Sequence, residues 1–270
     1  MPETCLIIED LTLGYQGHAA VHHLSGMVER GALLAIIGAN GSGKSTLLKG
    51  IAGMVKPLGG RCVSNSRRLA YLPQQSEIDR SFPARVVDLV SLGFYQTHGL
   101  LGRRTKADRE ALGRSLQAVG LEGFEQRPLD SLSGGQMQRA LFARTVLQDA
   151  DLILLDEPFN AVDERTVRDL LGVIGGWAAE GRTVLCVLHD HALVRAHFPR
   201  TLLLARKVVA WGPTAEVLTP QLLSEARNFQ EVWDEKAGWC EDKVVTLQPG
   251  AADAVGGPLV LPSPRSRIHG

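Results

Sequence analysis

The chain has 270 residues, of which 44% are hydrophobic, and this is enough for one large domain or two small ones. It carries 29 basic and 29 acidic residues, and a net charge of zero argues against a nucleic-acid binder, because neutralising many phosphates requires a basic surplus. The four cysteines are far apart and form no CxxC pair, so we expect neither a zinc cage nor a disulfide framework and favour a reducing compartment.

The beginning of the chain carries an acidic residue, Glu3, and no apolar segment follows it, which predicts the absence of a signal peptide. No run of about 18 apolar residues occurs, so the sequence predicts no membrane-spanning helix. We therefore expect a cytosolic chain whose contact with a membrane goes through a partner.

Four short apolar runs are continuous rather than alternating, which is typical of strands that are buried on both faces. In chain order they are Leu33–Ile37, Leu152–Leu155, Thr183–Leu188 and Leu202–Leu204. Between the second and third runs, apolar residues over 167–177 recur at helical spacing. This order of strand, helix and strand predicts a parallel crossover and an α/β fold.

The segment from residue 76 to residue 150 has a different character. Apolar residues recur there at helical spacing, without a comparable buried-strand run. We interpret this segment as a helical insertion within a domain that spans residues 1–225. The apolar pattern weakens afterwards, and Gly, Pro, Ala and Ser dominate from Pro249 onward, so we expect residues 226–270 to form a C-terminal extension with a mobile end.

A glycine-rich loop, GANGSGKST at residues 38–46, follows the first apolar run and matches the pattern GxxxxGK[ST]. Such a loop turns its backbone N–H groups toward a phosphate, and the helix that follows adds a partial positive charge. In this pattern Lys44 contacts the β- and γ-phosphates and the Ser45 hydroxyl binds Mg²⁺. The candidate phosphate-binding residues are Gly38, Asn40, Gly41, Ser42, Gly43, Lys44, Ser45 and Thr46.

Two acidic residues follow the second apolar run. Asp156 comes at the carboxyl end of the predicted strand, where open α/β sheets bind their ligands. There Asp156 can hold Mg²⁺ through water, and Glu157 is free to act on the water that attacks the phosphate. Together with the phosphate loop, these two residues predict nucleotide binding and hydrolysis.

A second glycine-rich turn, Leu132-Ser133-Gly134-Gly135-Gln136, precedes another helical segment. Such a turn forms an anion site from a hydroxyl, successive backbone N–H groups and a helix N-terminus. One nucleotide does not need two such sites in one chain. We therefore predict that Ser133, Gly134, Gly135 and Gln136 contact the γ-phosphate of a nucleotide held by another copy of the chain.

With these motifs in this order, residues 5–225 resemble the ATP-binding subunits of ABC transporters. The resemblance implies a P-loop NTPase fold of the ABC ATPase type, in which a mainly parallel core sheet is joined by an antiparallel β part at the N-terminus and an inserted α-helical subdomain. It also implies a homodimer of ATPase subunits that binds two ATP molecules with Mg²⁺ between the copies.

The resemblance alone assigns further site residues. Tyr15 is similar to the residue that stacks on adenine, Gln74 to the Q-loop glutamine that also binds Mg²⁺, and Asp163 to the last residue of the D-loop. His189 is similar to the switch histidine that contacts the γ-phosphate, beside Glu157 as the catalytic residue that orients or deprotonates the attacking water. Gln75 competes with Gln74 for the Q-loop assignment.

The cargo expected from the resemblance is a divalent metal ion. Phe159 and the D-loop 160–163 depart from the commoner family pattern. Both of them, and also the segment 76–83, resemble the branch that serves zinc, manganese or iron(II) importers. The expected function is thus ATP hydrolysis that energises import of zinc or manganese. Val87–Tyr95 and His98 would also suit the ATPase of a siderophore or haem importer, and a soluble ABC ATPase outside transport is a further alternative.

The partners that the resemblance implies are integral membrane permease subunits and an extracytoplasmic substrate-binding protein, and no nucleic acid. A groove between the helical insertion and the core would receive a short helix of the permease, which would hold the chain on the cytoplasmic face of the membrane. The histidine pairs His22/His23 and His189/His191 are not expected to bind the transported ion, because no cysteine or acidic cluster completes a four-ligand set.

Overall fold

The computed structural model describes residues 3–75, 82–95, 99, 105–160 and 162–232, and two sheets form its centre. Its strands are β1 (Thr4–Tyr15), β2 (His18–Glu29), β3 (Leu33–Ile37), β4 (Gly59–Ser64), β5 (Leu69–Leu72), β6 (Leu152–Asp156), β7 (Thr183–Val187), β8 (Arg200–Ala205) and β9 (Lys207–Pro213). A three-stranded antiparallel sheet has the order β2-β1-β4, and a six-stranded sheet has the order β5-β6-β7-β3-β8-β9.

The helices alternate with the strands of the six-stranded sheet. They are α1 (Lys44–Ile51), α2 (Val86–Ser91), α3 (Lys106–Ala118), α4 (Gly134–Leu147), α5 (Glu164–Ala179), α6 (His191–His197), α7 (Thr214–Val217) and α8 (Pro220–Val232). Short 3₁₀ turns cover Leu92–Phe94 and Leu129–Ser131. Helices α2, α3 and α4 come between β5 and β6 in the chain and pack on one another.

The six-stranded sheet is mainly parallel, since β8 and β9 are its antiparallel pair. β6 and β7 pair in register from Leu152 with Thr183 to Asp156 with Val187, and α5 makes the connection between them. The predicted fold is therefore confirmed: a mainly parallel core sheet, an antiparallel part at the N-terminus and inserted helices.

Strand β6 contributes alternate side chains to two different hydrophobic cores. Leu152 and Leu154 pack in the core that lies between the two sheets, together with α1. Ile153 and Leu155 pack in the core on the other face, with α4 and α5. Every residue of β6 and of β7 is buried, which explains why these strands have continuous apolar sequences instead of alternating ones.

Helices α4 and α5 are connected by both apolar and polar contacts. The rings of Phe142 and Trp177 stack with their centroids 5.8 Å apart. At the other end of the contact, the guanidinium of Arg139 donates to Thr166 Oγ1 at 3.2 Å and to Asp169 Oδ2 at 2.6 Å. The orientation of α4 is therefore fixed relative to α5.

The C-terminal helix α8 buries Leu222 and Ala226 in the core on the helical face of the sheet. The predicted division between residues 225 and 226 thus lies within this helix. Residues 76–81, His98 and 233–270 lie outside the described residues, so the expectations that concern them stay predictions. Among the described helices, none combines the length and the apolar character needed to cross a bilayer.

Replacing Leu154, which is fully buried in β6, tests this arrangement of the core. We expect Leu154→Ala to lower the free energy of unfolding by about 3 kcal/mol, because it removes buried methyl groups and leaves a cavity. The matched control Leu92→Ala, at a residue that is 53% exposed, should change little. Urea denaturation followed by circular dichroism measures both, and equal effects of the two variants would contradict the burial of β6 between two cores.

Candidate functional site

The carboxyl ends of β3, β6 and β7 lie side by side in the sheet, and a cleft of about 770 Å³ opens beside them. Six predicted phosphate-binding residues line this cleft: Asn40, Gly41, Gly43, Lys44, Ser45 and Thr46. Gly38 and Ser42 belong to the same loop but do not line the cleft, and Ser42 is fully buried. The remaining lining includes Tyr15, Gln74, Glu157 and His189, so residues distant in sequence meet here.

The glycine-rich loop keeps its shape because it packs closely against β2. Gly43 has a φ of +94°, and a Cβ atom at this position would lie 2.4 Å from the carbonyl oxygen of Ala20. Only glycine avoids both the strain and the clash. Helix α1 begins at the next residue, so its N-terminus, with its free N–H groups and partial positive charge, faces the loop.

Lys44 is a buried cation at the floor of the cleft. Its Nζ donates to the carbonyl oxygens of Gly38 at 3.0 Å and Ala39 at 2.8 Å. Burial lowers the pKa of the Lys44 ammonium, whereas the negative charges of Glu157 and Asp156 oppose that shift. A buried positive charge held by neutral carbonyls is well suited to bind an anionic ligand.

Asp156 connects the acidic pair to the phosphate loop. Its carboxylate is fully buried, and Oδ1 accepts a hydrogen bond from Ser45 Oγ at 3.0 Å. Oδ2 accepts from the hydroxyl of Tyr71 at 3.3 Å. A hydroxyl and a carboxylate oxygen at this separation are hard oxygen ligands of the type that Mg²⁺ prefers, and Gln74 lines the same cleft.

Glu157 has an unusual backbone conformation for a residue with a side chain. Its φ is +47°, a left-handed conformation that costs free energy for a residue with a side chain. One carboxylate oxygen is hydrogen-bonded to His189 Nε2 at 2.6 Å, and the other accepts from Asn160 Nδ2 at 3.4 Å. The carboxylate of Glu157 is thus held at the edge of the cleft by side chains from two different loops.

Two residues at the site were not selected from the sequence as functional. Tyr71 donates to Asp156, and Asn160 donates to Glu157 and lines the cleft. Asn160 was visible in the sequence only as a departure from the commoner D-loop pattern. Tyr71 had no distinguishing signal, because a tyrosine in a short strand ordinarily serves packing.

The adjacent glutamines Gln74 and Gln75 have different surroundings. Gln74 lines the cleft. The side-chain amide of Gln75 instead donates to the carbonyl oxygen of Gly134 at 2.8 Å. Of the two residues that competed for the Q-loop assignment, Gln74 is therefore the one placed beside the candidate ATP site. Tyr15, whose ring also lines the cleft, is 51% exposed and available for stacking.

The turn 133–136 lies outside the cleft of its own chain. Ser133 Oγ accepts from the backbone N–H of Gln136 at 3.2 Å, and the Gln136 side chain accepts from the backbone N–H of Ser133 at 3.0 Å. This reciprocal pair is a capping box at the start of α4. It holds the turn in one conformation at the N-terminus of a helix.

The D-loop residue Asp163 packs against the same turn. It caps α5, accepting from the backbone N–H of Thr166 at 2.9 Å and from its hydroxyl at 2.8 Å, and these hydrogen bonds lower the pKa of the Asp163 carboxyl. A Cβ atom added to Gly135 would lie 3.2 Å from Asp163 Oδ2. The turn 133–136 therefore contacts the D-loop within one chain.

The loop, the buried lysine and the serine–aspartate pair at the carboxyl edge of a parallel sheet define a P-loop nucleotide hydrolase. Comparison with protein families identifies which P-loop family this is. The family described as ABC transporter matches residues 21–160. The chain belongs to the ABC transporter family. It is an ATP-binding protein of that family, and ATP hydrolysis is its activity.

Three curated relatives are similar over most of their length. A Chlamydia pneumoniae protein named as a probable metal transport system ATP-binding protein is 39% identical over 80% of this chain and 86% of its own. The Bacillus subtilis manganese transport system ATP-binding protein MntB is 36% identical over 88% of this chain and 96% of its own. The Treponema pallidum zinc transport system ATP-binding protein TroB is 37% identical over 81% and 85%.

A solved structure gives the same result for the fold. An ABC transporter in an inward-facing conformation matches with a TM-score of 0.76 at 30% identity, over 84% of this chain and 89% of that chain.

Replacing Lys44 tests the phosphate loop. We expect Lys44→Ala to raise the dissociation constant for ATP by about 10- to 100-fold, because the charged donor closest to the phosphate site is lost. The control Lys106→Ala removes a lysine whose side chain is 91% exposed and should leave the affinity unchanged. Titration with a fluorescent ATP analogue measures both, and native affinity in Lys44→Ala would contradict this position for the phosphates.

Proposed function

We propose that this chain energises the import of a divalent metal ion, manganese or zinc, through a membrane permease. The observation that carries the proposal is the similarity, over more than 80% of this chain, to ATP-binding proteins of a manganese and a zinc transport system. An extracytoplasmic substrate-binding protein would deliver the ion to the permease. The chain would act on the cytoplasmic face of the membrane.

The ATPase would work as a homodimer with two composite sites. In each site, ATP would stack its adenine on Tyr15 and bind its phosphates at the loop 38–46. The turn 133–136 of the second copy would then cover the γ-phosphate. This arrangement is supported by the position of the turn outside its own cleft and by the capping box, which presents Ser133 at a helix N-terminus.

Hydrolysis would be in-line attack of water on the γ-phosphate. Ser45, Asp156 and Gln74 would hold Mg²⁺, which neutralises charge on the β- and γ-phosphates. Glu157 would orient the water and accept its proton, while Lys44 stabilises the charge that builds up on the phosphate oxygens. His189 is hydrogen-bonded to Glu157 and lines the cleft, which supports the proposal that it would contact the γ-phosphate when ATP is bound.

The permease would dock in a groove between the inserted helices and the sheet. This groove has a volume of about 250 Å³ and is lined by Ala52, Met54, Leu69, Tyr71, Leu92, Arg144 and Gln148. Met54 and Leu92 are large apolar residues that are more than half exposed, as expected for a surface that a partner helix covers. Gln74 would report the state of the nucleotide to this groove.

Glu157→Gln tests the proposed role of Glu157 as the general base. We expect it to retain ATP affinity but to lower the hydrolysis rate at least about 100-fold, because an amide cannot accept the proton. The variant should therefore accumulate as a dimer with ATP in size-exclusion chromatography. Glu122→Gln, at an exposed glutamate, is the matched control and should hydrolyse ATP normally. Native turnover by Glu157→Gln would remove Glu157 from the proposed role.

Growth of a deletion strain tests the cargo. Cells lacking this chain should grow poorly under chelation of manganese or zinc, and the missing ion alone should restore growth. A plasmid that carries the native chain should also restore it, whereas one with Lys44→Ala should not. A strain that is indifferent to both metals but fails on a siderophore or haem as iron source would instead favour the alternative importer.

A further inference from the structure

The two carboxylate oxygens of Asp156 have different hydrogen-bond donors. Oδ1 accepts from Ser45 Oγ at 3.0 Å, and Ser45 lines the ATP cleft. Oδ2 accepts from the hydroxyl of Tyr71 at 3.3 Å, and Tyr71 lies in β5, outside the lining of that cleft. Oδ1 is therefore directed to the phosphate loop, whereas Oδ2 is directed to β5.

The register of the sheet accounts for the contact between Tyr71 and Asp156. Strands β5 and β6 are parallel, and Tyr71 is paired with Leu154. Side chains two residues apart in a strand project to the same face, so Asp156 lies diagonally beyond Tyr71 on the face of Leu154. A diagonal neighbour of this kind is within reach of an aromatic side chain.

Two contacts hold the Tyr71 hydroxyl in place. The guanidinium of Arg144 donates to the carbonyl oxygen of Tyr71 at 3.0 Å, which fixes the backbone at this residue. The Tyr71 side chain packs against the core between the two sheets, which contains Leu154. The hydroxyl therefore has a defined position beside Oδ2 of Asp156.

The difference between the two oxygens matters for the choice of metal. Mg²⁺ requires nearly octahedral coordination and keeps several waters, so one carboxylate oxygen is enough for it. Ca²⁺ takes about six to eight oxygen ligands and binds a carboxylate through one oxygen or through both. Because the Tyr71 hydroxyl engages Oδ2, Asp156 offers Oδ1 to a metal, and this arrangement suits Mg²⁺ better than Ca²⁺.

We propose that Tyr71 is a positioning residue that makes the nucleotide site selective for Mg²⁺ over Ca²⁺, because its hydroxyl keeps Asp156 from presenting both oxygens. The inference rests on the proposed function, in which Ser45, Asp156 and Gln74 hold Mg²⁺. Tyr71 itself binds neither the metal nor ATP, and it acts through the orientation of the Asp156 carboxylate.

The test measures how much each metal tightens the binding of nucleotide to the full chain. A fluorescent, non-hydrolysable ATP analogue is titrated with saturating Mg²⁺, with saturating Ca²⁺ and with EDTA. Tyr71→Phe removes the hydroxyl and keeps the ring, and Tyr71→Met is a second variant without a hydroxyl. Tyr95→Phe makes the same change at a tyrosine that is 56% exposed and serves as the matched control.

We expect the native chain to bind the analogue more tightly with Mg²⁺ than with Ca²⁺. Both Tyr71 variants should reduce this preference about fivefold, as the loss of one hydrogen bond predicts, mainly because binding with Ca²⁺ becomes tighter. The affinity in EDTA should stay native, as should every property of Tyr95→Phe. A merely structural role of Tyr71 would weaken binding with both metals alike, and that result, or a native chain without preference, would overturn the proposal.

Ser45→Ala separates this inference from the proposed function. It should reduce the tightening by both metals while the affinity in EDTA stays native, because it removes a metal ligand. If it does so while the Tyr71 variants keep the native preference for Mg²⁺, the role of Tyr71 is wrong and the metal site stands. If Ser45→Ala retains the full tightening by Mg²⁺, the metal site fails and the selectivity through Tyr71 fails with it.

Discussion

The buried carboxylate of Asp156 is the group on which the rest of the site depends. A polar group without contact to water needs hydrogen-bond partners, and two of those of Asp156 come from separate elements, Ser45 in α1 and Tyr71 in β5. These hydrogen bonds fix β6, which ends at Asp156, relative to the phosphate loop and to β5, the strand that leads to the Q-loop. Removing one of these hydrogen bonds would leave the buried carboxylate without one of its donors, which costs free energy of folding. It would also loosen the contact between the elements that the carboxylate joins.

The sequence was sufficient to predict the parallel core because β3, β6 and β7 are buried on both faces and have uninterrupted apolar sequences. The antiparallel sheet was predicted from resemblance alone. In β1 the pairing with β2 shifts register between Ile8 and Leu11, which breaks the period of two that identifies a strand. Strand β4 is largely exposed and lacks an apolar pattern altogether.

The same distinction applies to the site. The glycine-rich loop and the turn 133–136 are contiguous motifs, so one sequence is enough to find both of them. The contacts of Asn160 and Gln75 depend on how loops from different parts of the chain come together. Asn160, a departure from the commoner family pattern, has a physical consequence that its position in the sequence could not reveal: it holds the second oxygen of Glu157.

The double-sided burial of β6 has a consequence for its alignment with β7. Moving an ordinary amphipathic strand by one residue exposes its apolar side chains to solvent. The free-energy cost of this exposure favours the correct pairing. Such a slip in β6 would exchange leucine and isoleucine side chains between two hydrophobic cores, so burial alone would oppose it little. The penalty arises at the end of the strand, where the carboxylate would move away from Ser45. The aspartate that is hydrogen-bonded to the first turn of α1 therefore also enforces the correct register of β6.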